Sequence, residues 1–264
     1  MSGLSSYLRL AIAYTKINFK SLLAYRGAFV SQMVAMFIND SVWIAFWCLF
    51  FTRFPVVKGW GVNDVITLWS IAASGFGVAH VFMGNALTLP GIIMRGELDS
   101  WLLYPRAVLP HLLLGRSSAS AWGDALFGVV VYVLFVKPDL PHLLLFLLLV
   151  LSVAILFVGF SVFTGSLAFF LGSADSIAVQ LRFALITFST YPSPIFQGFV
   201  KVLLFTLIPA MFVSHLPVSA LRNMSFLDAS YSFAGAFAVL AMGVAVFYFG
   251  LRRYESGNLM EMRG

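Results

Sequence analysis

Asp40 stands beside Asn39 in an otherwise apolar run, midway between Arg26 and Arg53. If that run crosses a bilayer, the carboxyl lies near the midplane. An ionised side chain there costs roughly 2.5–3.5 kcal/mol on insertion scales. Such a group must face the bundle interior, pair with a polar neighbour, or hold its proton. It could therefore line a polar path through the membrane, or make a hydrogen bond that ties helices together. The sequence leaves both open. Asp124 lies in a weak polar patch that begins at Gly115, and is placed nearer the interface. His80 reads as a hydrogen-bonded packing residue ahead of a proton relay.

Other chemistries lack their residues. His80, His111, His142 and His215 are too widely spaced to form a ligand pair, so no metal site is expected. No G-x-x-x-x-G-K-[ST] segment occurs, so this chain does not hold ATP in the P-loop manner. No G-x-S-x-G elbow occurs either. An enzyme acting on lipid is disfavoured because acid, base and metal-binding groups do not cluster. Cys48 is the only cysteine; it excludes an intrachain disulfide and reads as a small packed hydrophobe.

The segment Pro90–Pro110 combines charge with apolar surface. Arg95, Glu97 and Asp99 alternate with Ile92, Ile93, Leu98, Trp101 and Leu102, and Pro105 stops the pattern. This predicts a short amphipathic helix. It is either an interfacial loop helix with a solvated charged face or a docking helix. In the second case apolar knobs enter a cleft on a soluble partner and charges fix the register.

The elements that position these groups can be read from composition. Hydrophobic residues are 61% of the chain and charged residues 10%. A soluble domain is nearer 45–50% and 25%. A chain this apolar needs lipid as its solvent, which makes it an all-α polytopic membrane protein. The formal charge of +6 does not signal nucleic acid, because the basic residues sit at the ends of apolar runs. Residues 1–26 predict an amphipathic helix in the interface. Leu4, Leu8, Ala11, Ile12, Phe19 and Leu22 share one side, with Arg9, Lys16 and Lys20 on a neighbouring edge. No cleavable signal peptide is evident. The transmembrane domain is expected over 27–251, with spans near 28–51, 64–88, 110–136, 142–171, 176–191 and 229–250, and a tail over 252–264. Gly172-Ser173-Ala174-Asp175 is the expected end of the fourth span.

Prolines shape the region before the last span. Tyr191-Pro192-Ser193-Pro194 ends one helix, and Pro209 breaks the next apolar stretch. Pro192 and Pro209 lie too close for a comfortable unbroken crossing. Residues 195–216 are therefore expected as a re-entrant hairpin of two half-helices, which protein or water must satisfy at depth. A seventh, kinked span is the alternative. With six spans and a cytoplasmic N-terminus, the inner side holds Arg9, Lys16, Lys20, Arg26, Arg95, Arg106, Arg116, Arg182, Arg252, Arg253 and Arg263. Arg53, Lys58, Lys137, Lys201 and Arg222 lie outside. That bias obeys the positive-inside rule, whereas seven spans would move Arg252, Arg253 and Arg263 outside. Both termini are thus expected in the cytoplasm.

Within this topology, Gly96-Glu97-Leu98-Asp99 with Leu102-Leu103 and Pro105 resembles the G-x-L-D…L-x-x-P loop of ABC-2-type transporter permeases. Tyr191-Pro192, Ile195-Phe196, Ile208-Pro209-Ala210 and Pro217 are similar to the pattern of the same group, the six-span permeases. The resemblance covers about residues 25–250. It implies a bacterial plasma-membrane permease that dimerises with the same or a different permease. It implies docking of a cytoplasmic ABC ATPase dimer on the first cytoplasmic loop, about residues 91–104. ATP and Mg would be bound by that partner, with no cofactor in this chain, and would drive export. The hairpin around Tyr191, Pro192, Pro194 and Pro209 would cap the pathway outside. A self-sufficient proton-coupled carrier using Asp40 is the competing expectation.

Overall fold

The computed structural model describes residues 3–171 and 174–254. The expected fourth-span end at Gly172-Ser173 and the tail from residue 255, with Arg263, lie outside the described residues. So does the Leu4 side chain expected on the apolar side of the first helix.

The first helix, α1 (Gly3–Ala24), keeps Leu8, Ile12 and Phe19 exposed. Its inner side is pinned by polar contacts. Asn18 Nδ2 donates to the Leu114 carbonyl at 3.0 Å, and Tyr7 Oη accepts from Ala107 N at 3.1 Å. An apolar surface facing out and a polar seam facing in suit an interfacial position.

Helix α2 (Arg26–Arg53) divides cleanly by face. Phe29, Asp40, Ile44, Trp47 and Phe51 are buried, at helical spacing. Val30, Val34, Ile38, Val42 and Phe46 form an exposed apolar stripe on the other side. Helix α3 (Val62–Phe82) is buried along most of its length. Its start is fixed by Asp64, whose Oδ2 accepts from Gly61 N at 2.8 Å. The helix ends at Phe82, short of the expected residue 88, and passes through a 3-10 turn at Gly84–Ala86.

The loop segment forms two helices rather than one. Helices α4 (Leu89–Met94) and α5 (Leu98–Leu102) are separated at Gly96, whose φ of +71° is left-handed. Glycine takes that conformation without a Cβ penalty. The expected third span is also divided. Helix α6 (Val108–Leu114) stops at Gly115, and α7 (Ala119–Val131) begins after Ser118. Between them the backbone turns to the end of α3: Gly84 N donates to Arg116 O at 2.9 Å, and Ser118 N to His80 O at 3.0 Å. Those bonds replace the ones a continuous helix would make.

A π turn (Tyr132–Val136) extends α7, and Lys137 reverses the chain at a φ of +53°. Helix α8 (Leu140–Ser166) is capped by Asp139, whose Oδ1 accepts from His142 N at 3.0 Å. Helix α9 (Ala174–Ser189) comes next, then α10 (Gly198–Thr206), α11 (His215–Asn223) and α12 (Phe226–Leu251). Helices α8 and α12 pack closely because Gly159 faces Leu240 and Gly243 faces the Gly159 carbonyl, leaving no room for a Cβ.

Among the described residues, five helices are long and apolar enough to cross a membrane: α2, α3, α7 with its π turn, α8 and α12. Helix α9, 16 residues, is shorter, but it joins the two sides of the bundle. Its start places Asp175 near Arg95, and the chain past its end brings Tyr191 against Trp47. The segment from α10 through α11 is bent by 73°. Before it, the Pro194 carbonyl accepts from Lys58 Nζ at 3.1 Å; after it, Arg222 donates to Gly59 O at 3.2 Å and pairs with Asp64. Both of its ends are thus tied to the loop that joins α2 to α3. This bent segment runs over 198–223, further along the chain than the expected 195–216.

Candidate functional site

Asp40 and Asp124 meet. They lie on facing helices, α2 and α7, and are 5% and 4% exposed. Their carboxyls are neighbours within interaction reach. Asp40 Oδ1 accepts from Asn39 Nδ2 at 3.2 Å, while Oδ2 of each aspartate is buried without an N–H or hydroxyl donor. A hydrogen bond between two carboxyls requires a proton on one of them. Asp124 is therefore deep in the bundle, not near the interface as its polar surroundings in sequence suggested. The approach is possible because Gly123 puts bare backbone against α2, next to Met33 and Met36.

The pair opens into a cavity of about 560 Å³ between α2, α3, α7 and α9. Its walls are mostly aromatic. Trp43 stacks on Trp69 at 5.7 Å, Trp47 meets Tyr191 edge-on at 5.7 Å, and Phe76 meets Phe157 edge-on at 5.4 Å. Thr187 and Thr190 add hydroxyls from α9 and its end. The rim residues Asn39, Trp43 and Phe183 are exposed on the outer surface of the bundle. Among the described residues no lysine or arginine lines it.

His80 does not reach this cavity. Its Nδ1 lies 2.8 Å from the Phe76 carbonyl, which can only accept, so Nδ1 carries the hydrogen. Its Nε2 faces Ser161 Oγ at 3.5 Å. Both ring nitrogens are occupied inside the bundle, which is a packing arrangement. Of the hairpin residues, Tyr191 alone lines the cavity, whereas Pro192 and Pro194 shape the turn that holds it and Pro209 starts the 3-10 turn between the half-helices.

The loop at α4 and α5 presents a different surface from the one the sequence suggested. Ile92, Ile93 and Leu98 are buried in this chain's own core, because the break at Gly96 folds both helices inward. Trp101 is half-buried against His111, with ring centroids 5.2 Å apart. The apolar groups left outside are Met94, Leu102, Leu103 and Tyr104, with Leu103 86% exposed. Beside them Arg95 Nε donates to Glu97 Oε1 at 2.6 Å on the surface. That hydrogen bond holds the Glu97 carboxyl below the usual carboxylate range. Pro105 stands at the exposed exit from this segment.

Three contacts tie the loop and the segments on either side of it to distant elements, and sequence reasoning found none of them. Tyr14 Oη of α1 lies 2.6 Å from His111 Nε2. Arg182 of α9 donates to the Leu87 carbonyl at 3.2 Å. The Tyr254 hydroxyl, past the end of α12, sits by Asp99; burial and that carboxylate push its pKa up to about 12.

The loop is thus a surface with apolar knobs and a fixed charge pair, and the aspartate cavity lies inside the bundle. No curated protein and no solved structure matches the chain. The family model described as ABC-2 family transporter protein matches residues 19–257. That span includes the loop, the paired aspartates and the bent hairpin, and on it the chain belongs to the ABC-2 transporter family as a multi-pass permease.

Proposed function

We propose that this chain is one permease subunit of an ATP-driven exporter, energised by a separate cytoplasmic ABC ATPase that docks on the segment from Leu89 to Pro105. The observation that carries the reading is the membership of an ABC transporter family by a chain without a phosphate-binding loop. The loop supports the docking assignment: Leu102, Leu103 and Tyr104 supply knobs, and Arg95–Glu97 supplies charges that set register. In this reading α1, the loop and Tyr254 are cytoplasmic, and the 54–61 loop and the hairpin face outward, as the lysine and arginine bias favours. The exposed stripe of α2 then faces lipid or a second permease, of the same or a different chain. The membrane is the bacterial plasma membrane.

The paired aspartates favour one second reading, a self-sufficient proton-coupled carrier. Flux into vesicles separates the two. With the ATPase present, the exporter reading expects ATP-dependent accumulation that a pH gradient cannot replace. Gradient-driven flux through this chain alone would establish the carrier and remove the exporter.

A further inference from the structure

We infer that the cavity at Asp40 and Asp124 binds an organic cation that carries apolar or aromatic substituents and an oxygen acceptor. This deepens the permease reading and rests on it for the meaning of the site as a cargo site.

The charge comes first. Two carboxyls within interaction reach of each other do not both ionise readily, and with one proton shared between them the pair carries one negative charge. Nothing in the cavity balances it: among the described residues no lysine or arginine lines the walls, and both Oδ2 atoms lack an N–H or hydroxyl donor. A buried charge is costly unless it is paired. A positively charged ligand supplies the partner that the protein does not.

The walls select what kind of cation. Trp43 and Trp69 stack with their planes within 19° of each other, and Trp47 and Tyr191 close an adjoining side. Aromatic faces attract cations, and more strongly where water is excluded. A metal ion would want oxygens all round it. Here the polar groups are confined to one patch and the rest is ring, so a quaternary or tertiary ammonium matches better. At about 560 Å³ the cavity is in the usual 300–1,000 Å³ range of small-molecule sites.

A further pair of atoms refines the ligand. The indole Nε1–H groups of Trp47 and Trp69 are buried without an acceptor, and both residues line the cavity. An ether, hydroxyl or carbonyl oxygen on the ligand would satisfy them. The rim at Trp43 and Phe183 is exposed on the outer surface of the bundle, so the cavity is open to a ligand from that side.

The test uses the full chain in lipid nanodiscs, without nucleotide or ATPase, titrated with choline phenyl ether. The neutral control is 3,3-dimethylbutyl phenyl ether, in which carbon replaces the charged nitrogen. Tryptophan fluorescence and calorimetry report binding. Saturable binding of the cation is expected, at least about tenfold tighter than the neutral ether, with a loss of about tenfold when both carboxyls are removed in the double variant Asp40→Asn/Asp124→Asn. Equal affinity for both ethers, no saturable binding of the cation, or undiminished binding in the double Asn variant would overturn the inference. The comparison of ethers on the unaltered chain does not depend on any variant folding. Failure here leaves ATPase association untouched, and failure of that association leaves this binding untouched, so the two readings fall separately.

Discussion

The carbonyl oxygen of Met33 on α2 lies 2.7 Å from the point where Gly123 of α7 would carry a Cβ. Met36 Cβ is 3.0 Å from the same point. Asp40 sits one turn beyond Met36, and Asp124 comes directly after Gly123. The glycine therefore sets the distance at which the two carboxyls meet. Gly123→Leu is expected to force α2 off α7 and destabilise the chain by about 1–3 kcal/mol, as overpacking does. A thermal melt in detergent measures this. An unchanged melting temperature would show that the helices are not in close contact there.

Asp40→Asn and Asp124→Asn separate stability from function. Each removes one of two adjacent carboxyls while keeping shape. An amide beside the remaining carboxyl supplies N–H donors without adding charge, which is expected to hold or raise the melting temperature. ATP-driven transport by the complex is expected to fall about tenfold or more when both are replaced together, the usual trade at a site kept for function. A lower melting temperature with normal transport would mark the pair as a structural tie between helices.

Leu103→Asp and Glu97→Lys test the loop without touching the core, since both side chains are exposed. Neither is expected to change the chain's own melting temperature. Both are expected to reduce ATPase capture and to separate hydrolysis from transport. The dependence on pH has a definite sign. Glu97 titrates below the ordinary carboxylate range because Arg95 donates to it. Its contribution to docking is thus complete above that range and is lost as pH falls through the lowered value. Weaker capture on going from neutral to mildly alkaline pH would contradict a role for this carboxylate.

The hairpin makes a topological prediction. Its flanks are held to one loop by Lys58–Pro194 and by Arg222–Asp64. With Cys48 replaced by Ala, single cysteines at Gln197 and Met224 are both expected to react with a membrane-impermeant maleimide from the outside. Labelling of only one from that side would mean that the segment crosses the membrane.

The sequence made the membrane class and the break at Pro209 legible because each depends on local signals. Apolar runs bounded by Arg26, Arg53 and Arg252 show themselves in one dimension, and so do paired prolines. What stayed hidden was placement in three dimensions. The polar patch before Asp124 suggested the interface, but the patch is the helix break at 115–118, bonded to α3, and Asp124 lies beyond it at depth. Ile92 and Leu98 looked like knobs for a partner, yet the left-handed Gly96 turns them inward and leaves Leu103 outside. Trp43, Trp47 and Trp69 carried no signal as a cavity wall, because α2 and α3 had first to be packed together.

In the proposed function this permease takes its work from another chain. The most direct measurement is purification of the tagged chain in mild detergent from its native cells, with identification of bound proteins and assay of ATP hydrolysis in the eluate. A soluble subunit carrying a G-x-x-x-x-G-K-[ST] loop is expected to accompany the chain, with ATP hydrolysis, and both are expected to be lost with Leu103→Asp. A lone permease that retains transport in vesicles containing no other protein would contradict the account.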